Sequence, residues 1–167
     1  VVPKARGAMK QPFPVALFGH GVGGNGTEAL AHGGNYARNG IATVTINMPM
    51  HGFPNAPEYI GIARGELTNR CLVPWVDALF LGRTHDYNGD GQTDPGWWWW
   101  TAHLGNVRDN VRQGTLDEMQ FTRILRTFDG KTLSGQDYNG DGKEDLAGDF
   151  DGDGTVNVAG PNLPIYT

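Results

Sequence analysis

The sequence predicts an α/β fold with a mostly parallel sheet, flanking helices and acidic loop insertions. A short apolar run at residues 14–18 ends in a glycine-rich turn over residues 19–26, which is typical of a buried parallel strand. A helix is expected over residues 28–38 with Thr27 as its N-cap, followed by a β-branched strand over residues 41–47. Strand, turn, helix and strand in this order predict a βαβ unit with parallel strands.

The rest of the sequence adds further helices and a last strand. Residues 72–81 predict a helix, and residues 106–126 predict a longer one because their apolar side chains recur near helical spacing. Residues 163–167 predict a strand. A chain of 167 residues is normally a single domain.

Composition narrows the partners that the chain can bind. The net charge is -5, and the acidic residues are concentrated after Asp86 and after Asp137, which argues against a nucleic-acid partner and favours a cation. No apolar run is long enough for a transmembrane helix. The one cysteine, Cys71, excludes an intrachain disulfide and is typical of a buried apolar site.

The glycine turn permits more than one interpretation from its residues alone. Gly19, Gly21 and Gly24 match the dinucleotide-binding pattern G-x-G-x-x-G between a strand and a helix, which would make the protein a nucleotide-dependent oxidoreductase. The second strand ends at Asn47 without the acid that would hold a ribose hydroxyl, which counts against that interpretation. An unspecific glycine-rich connection is a further alternative.

The order of motifs resembles the first half of bacterial α/β-hydrolases of the serine esterase and lipase type. The resemblance rests on His20-Gly21 with two further glycines after a strand, and on His51-Gly52 after the next strand. It implies a partial α/β-hydrolase fold, with residues 1–167 as the N-terminal part of one domain and insertions at about 82–101 and 130–160. It also implies that the backbone N–H of Val22 is one donor of an oxyanion hole, and that Gly21 lets the chain approach the substrate closely. His20 would shape the turn.

The resemblance places the catalytic serine outside these residues. Ser134 is the single serine and lies in an acidic loop without the G-x-S-x-G context of a nucleophile. We therefore expect the nucleophile beyond residue 167, on a following segment or a second polypeptide, with an ester as substrate. The alternative is a calcium-dependent binding or adhesion module that keeps a hydrolase-like scaffold without its chemistry.

Three acidic loops fit the nine-residue pattern of calcium-binding loops. Loop 1 is residues 86–94, loop 2 is residues 137–145 and loop 3 is residues 149–157. Oxygens at positions one, three, five and nine, with the backbone carbonyl of position seven, suit Ca²⁺, and the glycine at position six allows the turn. The expected ligands are Asp86, Asn88, Asp90, Gln92 and Asp94, then Asp137, Asn139, Asp141, Lys143 and Asp145, then Asp149, Asp151, Asp153, Thr155 and Asn157.

These loops resemble the EF-hand-like loops of dockerins and thrombospondin repeats, but each lacks the glutamate expected at position twelve. That position holds Trp97, Gly148 and Gly160 in turn. Such sites suit the high calcium concentration outside cells, which favours a secreted or surface location. The alternative is a set of solvated turns without metal.

The four consecutive tryptophans at residues 97–100 cannot all face one side of a regular element. We expect some of them to be partly exposed. They form either an apolar wall for an acyl chain or interface, or a clamp that holds loop 1 against the sheet.

Overall fold

The computed structural model describes residues 1–53, 57–68, 82–137 and 140–167. Its sheet has three parallel strands in the order β2-β1-β3, with β1 at Val15–Leu17, β2 at Ala42–Val44 and β3 at Ile165–Tyr166. Val15 lies opposite Ala42 on one side and Ile165 on the other. The expected α/β class with a parallel sheet and flanking helices is confirmed, although each strand is shorter than its sequence pattern predicts.

Three helices are described, and one of them was not predicted. Helix α1 spans Ala29–Arg38 after a 3₁₀ turn at Gly26–Glu28, and helix α3 spans Leu104–Arg126. Helix α2 at Pro57–Thr68 begins with proline, but its internal glycines weaken the helical pattern in the sequence. The helix predicted at residues 72–81 and Cys71 lie outside the described residues.

The N-cap predicted at Thr27 is wrong. The side-chain oxygen of Asn25 accepts hydrogen bonds from the Thr27 amide at 2.9 Å and from the Thr27 hydroxyl at 2.6 Å. Asn25 therefore performs the capping role. Asparagine and threonine are both favoured at the N-cap position, so residue preference alone does not distinguish them.

The described chain divides into two compact units. The first comprises Val1–Phe18, Ala29–Thr45 and Asp117–Thr167, and the second comprises Gly19–Glu28 and Ile46–Leu116. The sheet, loop 2 and loop 3 belong to the first unit. The glycine turn, loop 1 and the tryptophan run belong to the second.

The core of the first unit joins the sheet to loop 3. Its buried members are Phe13, Val15, Ala42, Leu125, Val158 and Ala159. The backbone of Phe13 donates to Asn157 at 3.0 Å and accepts from Ala159 at 2.8 Å, so the exit of loop 3 pairs with the chain that enters β1. Arg126, at the end of α3, donates to the carbonyls of Gly160 at 3.1 Å and of Leu163, which holds the segment leading into β3.

No helix among the described residues combines the length and apolar character needed to cross a membrane.

Candidate active-site turn and metal-binding loops

The imidazole of His20 ties the glycine turn to the segment after β2. Its Nδ1 lies 2.9 Å from the Gly21 carbonyl oxygen, and its Nε2 accepts from the Met48 amide at 3.0 Å. Because Met48 can only donate, Nε2 must be the acceptor and Nδ1 must carry the proton. Both ring nitrogens of His20 are thus used in hydrogen bonds inside the second unit.

The peptide between Gly21 and Val22 is fixed from its carbonyl side. The Gly21 oxygen accepts from His20 and also from the Gly24 amide at 3.0 Å. In a trans peptide the N–H points away from the C=O, so the Val22 N–H is directed to the opposite side. Among the described residues it has no hydrogen-bond acceptor, and the Val22 side chain is 59% exposed.

Glu28 accepts a hydrogen bond from the neighbouring amide of the turn. Its Oε2 accepts from the Gly21 N–H at 3.2 Å, and a Cβ added at Gly24 would lie 1.7 Å from its Oε1. The Gly21 amide is therefore already bonded, whereas the Val22 amide is not. With the Gly21 amide already bonded, the turn has one backbone donor fewer for a pyrophosphate, which counts against the dinucleotide interpretation.

His51 is buried behind the turn. Its Nδ1 donates to the Pro49 carbonyl at 2.8 Å, and its ring packs against His20 at 4.9 Å and Trp99 at 5.2 Å between centroids. Its Nε2 is buried without a partner among the described residues. Desolvation by burial lowers the pKa of His51, and the Pro49 hydrogen bond opposes that effect. The charge of Glu28 also opposes the lowering.

Gly96, two residues after loop 1, packs directly against the glycine turn. A Cβ added at Gly96 would lie 2.6 Å from both the N and the Cα of Gly23, so only glycine fits at this backbone contact. The Gly96 amide donates to the Met50 carbonyl at 2.7 Å. Gly96 and Gly23 both have positive φ angles, of 78° and 80°. Loop 1 and the turn are therefore parts of one packed structure within the second unit.

Loop 1 is closed by hydrogen bonds from its own backbone amides. Asp86 accepts from Gly89 at 2.7 Å and from Gly91 at 2.8 Å, and Asp90 accepts from Gln92 at 2.9 Å. The Gly91 bond is the largest cause of the lowered pKa of Asp86. Asp94 accepts from the Tyr87 amide at 2.9 Å, which links position nine back to position two.

Loops 2 and 3 repeat this arrangement. Asp137 accepts from Gly140 at 2.6 Å and from Gly142 at 2.9 Å, and Asp141 accepts from Lys143 at 2.9 Å. The corresponding bonds of loop 3 run from Gly152, Gly154 and Thr155 to Asp149 and Asp153, each at 2.8 Å. The three loops thus share hydrogen bonds from the amides of positions four, six and seven to the side chains at positions one and five.

Loop 3 brings three predicted ligands into one group that could hold a metal ion. One carboxylate oxygen each from Asp149, Asp151 and Asp153 lies within 4.8 Å of the others. Asp149 is fully buried, and Asn157 at position nine accepts from the Phe150 amide at 2.6 Å and donates to Asp151 at 3.1 Å.

Loops 1 and 2 have no carboxylate at their third position. The third position of loop 1 is Asn88, whose amide nitrogen lies 3.2 Å from Asp90 and 3.3 Å from Asp94. The third position of loop 2, Asn139, lies outside the described residues. Asp145 closes loop 2, since its backbone pairs with Ser134 and Gln136, each at 2.8 Å. Metal binding by these two loops, and by the carbonyls of all three seventh positions, stays a prediction.

Ser134 is engaged in a local turn. Its hydroxyl donates to the Gln136 carbonyl and accepts from the Gln136 amide, each at 3.1 Å. This agrees with the sequence context, which gives Ser134 no nucleophile elbow.

Two positioning residues were not anticipated from the sequence. Asn106 and Asn110 of α3 both donate to the Trp98 carbonyl, at 2.9 Å and 3.0 Å, and anchor the tryptophan run. Their spacing of four residues, which places both on one helix face, was the available signal.

Comparison with known proteins adds no family: no family model, no curated protein and no solved structure matches the chain. What the structure defines is an α/β protein with a small parallel sheet, a glycine turn after its central strand and an aspartate group that could hold a metal ion.

Proposed function

We propose that this chain is the N-terminal part of a secreted serine carboxylic-ester hydrolase, with its nucleophile beyond Thr167 and calcium in its acidic loops. The observation that carries the proposal is the fixed backbone amide of Val22, whose N–H is unpartnered in the described part of the chain. Its peptide is held from the carbonyl side by His20 and Gly24, while its N–H has no acceptor among the described residues. A fixed, unpartnered amide is what stabilisation of a developing oxyanion requires.

The sheet supports a reaction site at the end of β1. The chain moves from β1 to β2 on one side, whereas β3 lies on the other side, so β1 is a topological switch point. Ligands of open α/β sheets bind at the carboxyl ends of strands at such points. Continuing the register of Ala16 with Tyr166 sets Thr167 level with Leu17. A nucleophile turn after β3 would then start at the carboxyl edge of the sheet.

The donor chemistry of loop 3 suits calcium. Carboxylate and amide oxygens are hard ligands, and the loop offers no sulfur or imidazole that would favour zinc or copper. Two ligands of one calcium ion lie at most about 5 Å apart, since each is roughly 2.3–2.6 Å from the ion. The 4.8 Å limit on the aspartate oxygens of loop 3 fits that span.

Calcium would have a structural role at this site. It would offset repulsion among Asp149, Asp151 and Asp153, and loop 3 leads directly into the core residues Val158 and Ala159. Because position twelve offers no carboxylate, binding should be weak and suited to extracellular calcium, which supports a secreted location.

A non-catalytic calcium-dependent binding module is the second candidate. The exposed rings of Trp97, Trp98 and Trp100 favour it, since exposed aromatic side chains are common in interfaces. The two candidates differ in whether a reactive serine follows β3.

A fluorophosphonate probe, which labels activated serines, distinguishes the candidates. In a polypeptide that continues beyond Thr167, we expect one labelled serine close after β3, whereas the 167-residue chain should stay unlabelled, as should its Ser134→Ala variant. Absence of labelling in the longer polypeptide, or labelling at Ser134, would contradict the hydrolase and leave the binding module.

A further inference from the structure

A small aromatic cleft lies beside loop 1 in the second unit. It encloses about 180 Å³ and is lined by Tyr87, Asn88, Asp94, Trp97 and Trp98. This is below the roughly 300–1,000 Å³ of pockets for drug-sized ligands, so the cleft suits a small head group rather than an extended molecule.

The aromatic rings of the cleft are available to a ligand. The rings of Tyr87 and Trp98 lie 5.1 Å apart between centroids and are tilted by 46°. Trp97 is 76% exposed and Trp98 is 41% exposed. The cleft therefore presents ring surfaces that the packing of the second unit does not cover. The Trp98 carbonyl is anchored to α3 through Asn106 and Asn110, which fixes the position of this wall.

The polar groups of the cleft already have partners inside the protein. The Asn88 amide group donates to Asp90 and Asp94, and Asp94 also accepts from the Tyr87 amide. The Tyr87 hydroxyl donates to the sulfur of Met50. A sugar, which depends on many directional hydrogen bonds, would have to displace these bonds. A ligand without N–H or O–H donors at its head group would leave them intact.

The charge of the cleft is negative. Asp94 lines it, Asp86 and Asp90 belong to the same loop, and no lysine or arginine is among the described residues that line it. Burial raises the pKa of Tyr87, and the charge of Asp94 raises it further. Aromatic faces beside a carboxylate attract cations through the ring quadrupole and through direct Coulomb interaction.

We propose that this cleft binds a small organic cation of the quaternary ammonium class. The three rings supply cation–π contacts and Asp94 supplies the opposite charge. A head group without N–H or O–H donors suits polar groups that are already bonded. The site uses none of the residues assigned to the proposed hydrolysis. It shares Asn88 and Asp94 with the calcium ligands expected for loop 1, so calcium bound there would compete with the organic cation.

Titration of the 167-residue chain with choline tests the proposal. Binding is followed by tryptophan fluorescence in chelator-treated protein, so that no metal shares Asp94, after circular dichroism has shown that the fold is retained. Saturable quenching by choline is expected. The uncharged isostere 3,3-dimethylbutan-1-ol should bind at least about tenfold more weakly, because it lacks the cation–π attraction.

Matched variants locate the site. Trp97→Ala should weaken choline binding about tenfold with little loss of packing, since its side chain is largely exposed. Trp100→Ala is the control, because Trp100 is 63% exposed but does not line the cleft. Asp94→Asn should weaken binding by roughly threefold or more. Equal binding of the isostere, an unchanged affinity in Trp97→Ala, or an equal loss in Trp100→Ala would overturn the proposal.

Discussion

His20 Nδ1 lies 2.9 Å from the carbonyl oxygen of Gly21, and this bond fixes the peptide that carries the Val22 N–H. The other ring nitrogen accepts from Met48, so the imidazole has no lone pair left to act as a base. His20 is therefore a positioning residue in the proposed hydrolase.

Replacement of His20 should impair hydrolysis by the longer polypeptide through loss of this alignment. His20→Phe removes both hydrogen bonds, and we expect kcat to fall about a hundredfold, since small misplacements of reacting groups have effects of that size. His20→Asn retains a donor near Nδ1 and should lose less than about tenfold. Amide hydrogen exchange at Val22 should change in His20→Phe but much less in His20→Asn. Equal activity of the two variants would show that the Nδ1 bond does not matter.

Gly96→Ala should destabilise the second unit. The added Cβ would meet the Gly23 backbone at 2.6 Å, and alanine at a φ of 78° is strained. We expect a loss of about 2–4 kcal/mol in the free energy of unfolding from the two effects together. Gly89→Ala is the matched control, because Gly89 has a φ of 79° but open space around it. Its loss should be only about 1–2 kcal/mol. Equal losses in urea unfolding would disprove the close contact.

Calcium should stabilise the chain. At a concentration a hundredfold above its dissociation constant, a ligand stabilises the native state by about 2.7 kcal/mol, which raises the melting temperature by ~5–10 °C for a chain of this size. Differential scanning calorimetry after EDTA treatment, and again after adding calcium, measures this shift. A melting temperature that responds to neither treatment would show that the loops are acidic turns without bound calcium.

Asp149→Asn should remove the part of the calcium response that arises at loop 3. Asp149 is buried and accepts three amide hydrogen bonds, so the variant should also lose about 1–3 kcal/mol without metal. Asp109→Asn is the control, since it changes only an exposed ion pair with Arg108. It should keep the full calcium response.

Stability should fall at mildly acidic pH because of His51. Burial lowers the pKa of His51 in the folded state, so between the two pKa values the unfolded chain binds the proton and the folded chain does not. The loss begins as the pH drops through the ordinary value of about 6.5 and continues to the lower folded pKa. His51→Asn, which keeps a donor for Pro49, should flatten the melting temperature between pH 7 and 5. The exposed His103→Asn control should not.

The fold could be predicted where the hydrophobic pattern is local. The strand around Val15, the helix after the glycine turn and the long helix α3 were all expected from periodicity. Helix α2 was missed because Gly61 and Gly65 interrupt its pattern, although tertiary structure tolerates them.

The chemistry of the site was only partly readable from the sequence. The three acidic loops could be recognised because the expected ligands of each loop lie within nine residues, so their spacing alone indicates the geometry. The contact of Gly96 with Gly23 joins residues that are distant in the chain, and the burial of His51 depends on such residues as well. Such long-range packing leaves no local pattern, so neither could be predicted.

Removal of the Val22 N–H tests the oxyanion role of the glycine turn most directly. In a polypeptide extended past Thr167, Val22→Pro eliminates the amide hydrogen, whereas Val22→Ala shortens the side chain and keeps that hydrogen. We expect kcat for p-nitrophenyl ester hydrolysis to fall about 10²–10³-fold in Val22→Pro and to stay close to the parent value in Val22→Ala. Full activity in a correctly folded Val22→Pro variant would contradict the oxyanion role of this turn.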